Sequence, residues 1–536
     1  MTGAEPVETI AERGASSVDL GATPARRTGT AAYIFLVAGS VGTISLLSPT
    51  VITFVASVAA VLLAGRLTGR GLVDSAGGVV VAITGLLFRA DFSGLPAWSL
   101  IVGLVAAALC FVPLASWRRR PDRFPLLGIF CAIQGVYIYV GALVAEPTIP
   151  YQATYSLHVR EVGLVATLAY VAVLVTTGLL VRRLPVVLPR IRRWTSTVST
   201  PVEPSASFRR ATLLVIIGIA AARFVPASVA GHLGAIPQIV GLARVAGAAL
   251  MAVLWLRRQL SPAQKAVAVS AIAVDMLAGT TGQFLLYEAA TCAIACLFVL
   301  TLSRPHLAVW LFILLVPFSL LFNVAKTEAR ATEAPTVGHI AAATILVTDA
   351  LRTAQHPNAA TLSNSADRFS TSDLLGYMAI HVPRDYPYWN KQSYIDLPLI
   401  LLPRVLVPFK PADTLSNDFG RRYRLLSPND FATSANTPVQ VEAWANFGAP
   451  GLVGIAIFLG FLLALAEGWF DPTRTDGFIL GIMMAYASYG FIESGINAIA
   501  LAIPTVLIYA PILRWTLRPK WNAETAPRPA RSDAQH

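Results

Sequence analysis

Residues 161–194 read EVGLVATLAYVAVLVTTGLLVRRLPVVLPRIRRW, and this stretch decides the fold class. Residues 162–181 carry no charge, and arginines 182, 183, 190, 192 and 193 follow at once. A helix rises 1.5 Å per residue, so about 20 apolar residues cross a hydrocarbon core roughly 30 Å thick. Inside that core every backbone polar group must be satisfied within the chain, and a helix does so on its own. The run reads as a membrane-spanning helix and the arginines as its cytoplasmic flank.

The same unit recurs on both sides. Apolar runs lie at 31–48, 50–65, 72–88, 96–115, 125–145, 161–181, 211–229, 236–256, 264–282, 284–302, 305–323, 451–467, 477–492 and 495–513. Basic residues cluster in alternate connections: Arg26 and Arg27, Arg66 and Arg70, Arg118–Arg120 with Arg123, the group after 181, Arg257 and Arg258 with Lys265, Arg304, and Arg514 with Arg518 and Lys520. The other connections hold little beyond Arg89 and Arg160. The bias keeps one phase, which places both termini in the cytoplasm. The expectation is an all-α polytopic membrane protein of about fourteen helices. A cytoplasmic tail covers 1–30 and is not a cleaved signal peptide. A bundle of about eleven spans covers 31–323, an extracytoplasmic loop 324–449, about three more spans 450–513, and a second cytoplasmic tail 514–536.

Composition agrees. Hydrophobic residues make up 55% of the chain, charged residues 13%, and the mean hydropathy is +0.63. A soluble domain is about 25% charged. The net charge of +12 lies in short clusters between apolar runs, which is a topology signal and excludes a nucleic-acid-binding stripe. The four cysteines, Cys110, Cys131, Cys292 and Cys296, all fall in apolar runs. They do not make an extracellular disulfide framework, and Cys292 and Cys296 read as packed small residues rather than a metal pair. No metal-ligand spacing and no cofactor fingerprint is present, so neither a metal nor a cofactor is expected.

The stretch 324–449 is different, with 11 Lys or Arg and 11 Asp or Glu. An insertion of 126 residues in a compact bundle is expected to be functional. Residues 337–352 fit a short amphipathic helix on the membrane surface. The segment LPLILLPRVLVPFKPADTLSNDFGRRYRLLSPNDFATSANTPVQVEAWANFGAPG, 397–451, sets Arg404, Lys410, Arg421, Arg422 and Arg424 among prolines 403, 408 and 411. Those prolines exclude one regular helix. Upstream, HVPRDYPYWNKQSY carries His381, Arg384, Lys391 and four aromatics. Arginine forks match phosphate oxygens and aromatic faces match sugar rings or lipid headgroups. Against this stands a plainer account, in which the cations pair with the loop's acids or touch lipid headgroups. Among ionisable residues in or near the spans, Arg244 and Asp275 are expected to pair, while Glu288, Arg223 and Glu493 are further candidates for a polar path.

These residues resemble the Wzy-type O-antigen and exopolysaccharide polymerases, the oligosaccharide repeat unit polymerases. The likeness rests on Pro403-Arg404, Pro408, Lys410-Pro411, Asn417, Phe419-Gly420, Tyr423 and Thr433, then Glu442, Trp444, Asn446-Phe447-Gly448 and Gly451. Arg368 and the Pro-aromatic stretch 387–389 also match, and the whole covers about 85 residues, 368–451. One departure is AGTTGQFLLYE, 278–288, which lacks the arginine such polymerases often carry near a middle span; Arg223 or Arg244 could stand in for it. The resemblance implies a GT-C-like bundle in the cell membrane that joins polyprenyl-diphosphate-linked oligosaccharides, with a flippase and a chain-length regulator as partners. The acceptor hydroxyl of that reaction needs a base, and Glu442 and His381 are the candidates. The candidate substrate contacts are Arg404, Lys410, Arg368, Tyr423, Trp444 and Asn446, which match the family pattern, together with Arg384, Arg421 and Arg422 of the cation cluster. An O-antigen ligase is the nearest enzymatic alternative. A transporter or flippase for lipid-linked sugars is the alternative of another class; the missing internal repeat weighs against it.

Overall fold

The computed structural model describes residues 96–117, 123–143, 157–184, 203–223, 236–279, 291–303, 370–395, 415–431, 435–472 and 474–517, with a few single positions besides. The expected spans at 31–48, 50–65, 72–88 and 305–323 lie outside these, as do nearly all of 337–352 and the chain after 517.

All regular secondary structure among the described residues is helical. In order, the helices are α1 Ala97–Trp117, α2 Leu126–Leu143, α3 Leu157–Arg183, α4 Pro204–Arg223, α5 Ile236–Gly241, α6 Ala243–Leu256, α7 Pro262–Gly279 and α8 Thr291–Ser303. They continue with α9 Thr371–His381, α10 Gln392–Ile395, α11 Leu415–Arg422, α12 Val439–Glu467, α13 Thr475–Glu493, a 3-10 turn Gly495–Ala498, and α14 Ile499–Leu517. Five stretches are long and apolar enough to cross a bilayer: Leu157–Arg183, Pro204–Ala222, Ile236–Leu256, Val439–Glu467 and Gly495–Leu517. The chain is an α-helical, membrane-embedded protein.

The helices form two groups. In one, α12 packs along α3, with α1 and α2 beside them. Small residues bring α3 and α12 together: a Cβ on Gly460 would lie 3.2 Å from the Gly178 nitrogen. Close backbone approach of this kind replaces the hydrophobic drive that lipid cannot supply. In the other group, α6 packs on α4 and α8, and α14 on α4. Helix α13 joins the two through α2, α6 and α8.

Buried charges fasten the helices. At one end of the bundle Arg182 Nε and Nη2 donate to Glu467 at 2.7 and 2.6 Å, the Leu127 amide donates to Glu467 at 2.9 Å, and Arg182 Nη1 reaches the Pro113 carbonyl. The Arg182–Glu467 pair thus ties α1, α2, α3 and α12. Within the second group Arg244 Nη1 donates to Asp275 at 2.9 Å, as expected, and the other Asp275 oxygen accepts the Cys292 amide. A charge in lipid is tolerated when it is paired in the protein interior. Between α5 and α6 the Leu242 amide is shared by the Gln238 and Ile239 carbonyls at 3.2 and 3.1 Å. Tyr509 on α14 adds a hydrogen bond to the Ile239 carbonyl at 2.7 Å, tying α14 to this span.

Two boundaries differ from the sequence reading. Helix α3 starts at Leu157, so Arg160 lies inside it. Helix α12 starts at Val439, so Glu442, Trp444 and Asn446 stand on helical turns and not in a loop. The sequence NFGAPG appears instead as a break within that helix: Pro450 has no N–H to donate, and Gly448 takes φ 65°, a conformation that favours glycine.

Candidate functional site

The described residues among those singled out in 381–446 gather at the bundle end opposite Glu467. Helix α9 is the foundation. Its Gly376 faces Gly163 of α3 so closely that a Cβ on either would meet backbone of the other helix. Beside this contact Arg160 and Asp373 form a buried ion pair, with Nη2 to Oδ2 at 2.8 Å and Nε to Oδ1 at 3.0 Å. Ser370 adds a hydroxyl at 2.7 Å. The loop helix is therefore bolted to a membrane-spanning one.

His381 closes α9. Its Nδ1 contacts the Asp385 carboxylate one turn on, and Arg384 grips the same carboxylate through Nε and Nη2 at 3.1 and 3.0 Å. The hydrogen bonds from Arg384 and His381 hold the Asp385 carboxyl down at about 2. Asp385 is then ionised and accepts only, so the proton of the contact sits on Nδ1. In the neutral imidazole the accepting nitrogen is then Nε2. The His381 side chain is 27% exposed, so solvent and small polar groups reach it. Rings of Tyr377 at 4.4 Å and Tyr386 at 6.3 Å fix the imidazole plane.

The chain from 386 to 395 then lies along the first turns of α12. The Trp389 amide donates to the Ala445 carbonyl at 2.8 Å, and Asn446 donates to the Ser393 hydroxyl at 2.9 Å. Helix α11 packs over this segment: Tyr377 donates to the Tyr423 carbonyl at 3.1 Å, Tyr386 meets the Tyr423 ring edge-on at 6.0 Å, and Arg422 donates to the Tyr388 carbonyl at 3.2 Å.

Each expected residue now has a place. Glu442 is 1% exposed; its Oε2 accepts the Ile496 amide at 2.7 Å, and the Ser393 side chain lies beside the same carboxylate. Gly495, at φ 67°, presses on this carboxylate, and a Cβ there would collide with Oε2. Tyr423 is fully buried and Asn446 is 2% exposed, so both are part of the scaffold and not of a surface. Trp444 is partly buried against the core. Arg421 pairs with Asp418 and lies over the Phe431 ring at 4.2 Å. Arg384 is 67% exposed beside Asp385, and Arg422 is exposed. Arg368, Arg404 and Lys410 lie outside the described residues.

The chain matches no family model, no curated protein and no solved structure.

The sequence reading missed three contributors. Asp385 stands four residues after His381, a helical spacing that could have flagged the pair. Ser393 had no distinguishing neighbourhood. The third is a pair of tyrosines at the same bundle end: Tyr137 and Tyr489 donate to Oε1 of Glu493, itself named from the sequence, at 2.7 and 2.8 Å. No group of three or more His, Cys, Asp or Glu among the described residues could hold a metal ion.

Proposed function

We propose that the protein is a polymerase of polyprenyl-diphosphate-linked oligosaccharides, with about fourteen spans in a GT-C-like bundle, both termini cytoplasmic and the 324–449 loop outside the plasma membrane. One observation carries the reading. Three pieces of the sequence pattern that resembles this family, 387–389, 417–423 and 442–446, are separated along the chain yet pack into one assembly. That assembly stands beside the exposed His381–Asp385 pair.

In this reading His381 is the base. Its Nε2 takes the proton of the acceptor sugar hydroxyl. The hydroxyl oxygen bonds to the anomeric carbon of the donor chain while the bond from that carbon to the diphosphate breaks. The bonding pair leaves with the polyprenyl diphosphate. Asp385 keeps the imidazole in the accepting tautomer and stabilises it once charged, the role a carboxylate plays beside a general-base histidine. Arginine and lysine of the loop, with Arg404 and Lys410 foremost, stabilise the charge on the departing diphosphate. Glu442, sealed by Gly495 and Ile496, anchors the turn between α13 and α14 to α12.

The test is polymer length in cells. Arg404→Lys and His381→Ala are each expected to abolish long chains while the single repeat and the protein's membrane abundance persist. A bidentate fork is not replaced by a point charge, and one preorganised donor contributes about 10²–10³ in rate. Normal chain length in well-expressed variants rejects these assignments.

A further inference from the structure

The loop cations that meet no acid among the described residues lie at a definite depth. Glu467 marks one end of α12, held there by Arg182. About 20 helical residues cross the hydrocarbon. Counting back from Glu467 reaches Gly448, where the helix breaks. The turn above Gly448 therefore stands in the headgroup layer, roughly 5–7 Å thick on each side. The segment 386–395 is pinned to that turn. Trp389 bonds Ala445, a Cβ on Gly448 would lie 2.7 Å from the Tyr388 hydroxyl, and the Tyr394 ring lies 5.5 Å from that of Phe447. Arg422, on the Tyr388 carbonyl, shares this level.

Three acids of this region are already engaged: Asp373 by Arg160, Asp385 by Arg384 and His381, Asp418 by Arg421. Lys391, Arg422 and Arg424 are exposed and meet no acid among the described residues. Arg424 lies over the Tyr386 ring at 5.9 Å, an arrangement that orients a guanidinium without neutralising it. At the same level Phe447 is 43% and Ile395 57% exposed, apolar surface suited to acyl chains rather than water. Aromatic and basic residues together at this depth are the composition of a membrane interface.

We propose that Lys391, Arg422 and Arg424 form a docking face for anionic phospholipid headgroups of the adjoining leaflet, with Phe447 against the upper acyl chains. The face is built from loop cations other than Arg404 and Lys410, and it reassigns Arg422, a candidate substrate contact in the sequence, to lipid. Each cation near an anionic membrane surface favours binding roughly fivefold, so three make a clear preference.

The experiment uses the purified full chain in zwitterionic detergent, titrated with phosphatidylglycerol or phosphatidylcholine and read by native mass spectrometry. Wild type is expected to retain phosphatidylglycerol preferentially. K391Q/R422Q/R424Q is expected to lose about tenfold or more of that preference, while R422K/R424K, which keeps the charge, retains it. A triple variant that melts like wild type and binds phosphatidylglycerol unchanged overturns the proposal. So does a wild type with no preference between the two lipids. A third arm adds polyprenyl diphosphate: if these residues select it and ignore phosphatidylglycerol, the face belongs to the substrate and the proposal fails.

Discussion

Arg160 and Asp373 are each 1% exposed and pair by parallel hydrogen bonds across 213 residues of sequence, joining α3 to α9. Removing one partner of such a pair strands the other charge, which costs about 3–5 kcal/mol, whereas replacing both with apolar residues is often neutral. Asp373→Asn is therefore expected to lower the melting temperature in detergent markedly, and Arg160→Met/Asp373→Leu to recover most of it. If the single and double variants melt alike, the pair is not what holds α9.

Glu442 is the residue where two roles give opposite outcomes. As an anchor it needs only an acceptor for the Ile496 amide, which glutamine supplies. Glu442→Gln is expected to stay within about 1 kcal/mol of wild type, the difference between a charged and a neutral hydrogen bond, and to keep making polymer. Glu442→Ala leaves the amide bare and is expected to cost about 1–3 kcal/mol. A stable but inactive Glu442→Gln would instead make Glu442 the base.

Asp385 separates tautomer from geometry. Asp385→Asn keeps the contact, but its amide donates to Nδ1 and moves the imidazole proton to Nε2, where it blocks base function. A fall of about 10²–10⁴ in turnover is expected, the usual contribution of a general base, with little change in substrate affinity. The Arg384 and His381 hydrogen bonds hold the wild-type carboxyl at about 2, so Asp385 stays charged at every physiological pH. No loss of rate near neutrality is expected from its protonation. Turnover of Asp385→Asn equal to wild type removes His381 from the chemistry.

What the sequence made legible follows from where each charge sits. The Arg244–Asp275 pair could be foreseen because both residues interrupt apolar runs, where an unpaired charge is untenable. The Arg182–Glu467 and Arg160–Asp373 pairs could not. Arg182 read as a topology signal, Glu467 as the end of a span, and Asp373 as one of 11 loop acids, and nothing local says which helices meet. Helix identity was readable from hydropathy, but helix ends were not: α12 begins before the apolar stretch, and its first turns, Val439–Asn446, are largely buried with the segment 386–395 lying along them. That burial also turned Tyr423 and Asn446 from surface candidates into scaffold, a matter of packing that residue type does not reveal. His381 and Asp385 stood at a legible spacing, yet their pairing acquires meaning only with α9 fixed to α3.

The most direct measurement places the purified wild-type protein in liposomes with one polyprenyl-diphosphate-linked repeat unit and no nucleotide sugar. Products are resolved by gel and mass spectrometry. The account predicts a ladder of lengthened chains, one polyprenyl diphosphate released per bond formed, and no ladder from His381→Ala. A folded wild-type protein that leaves every unit single, or that only carries the unit across the bilayer, would contradict it.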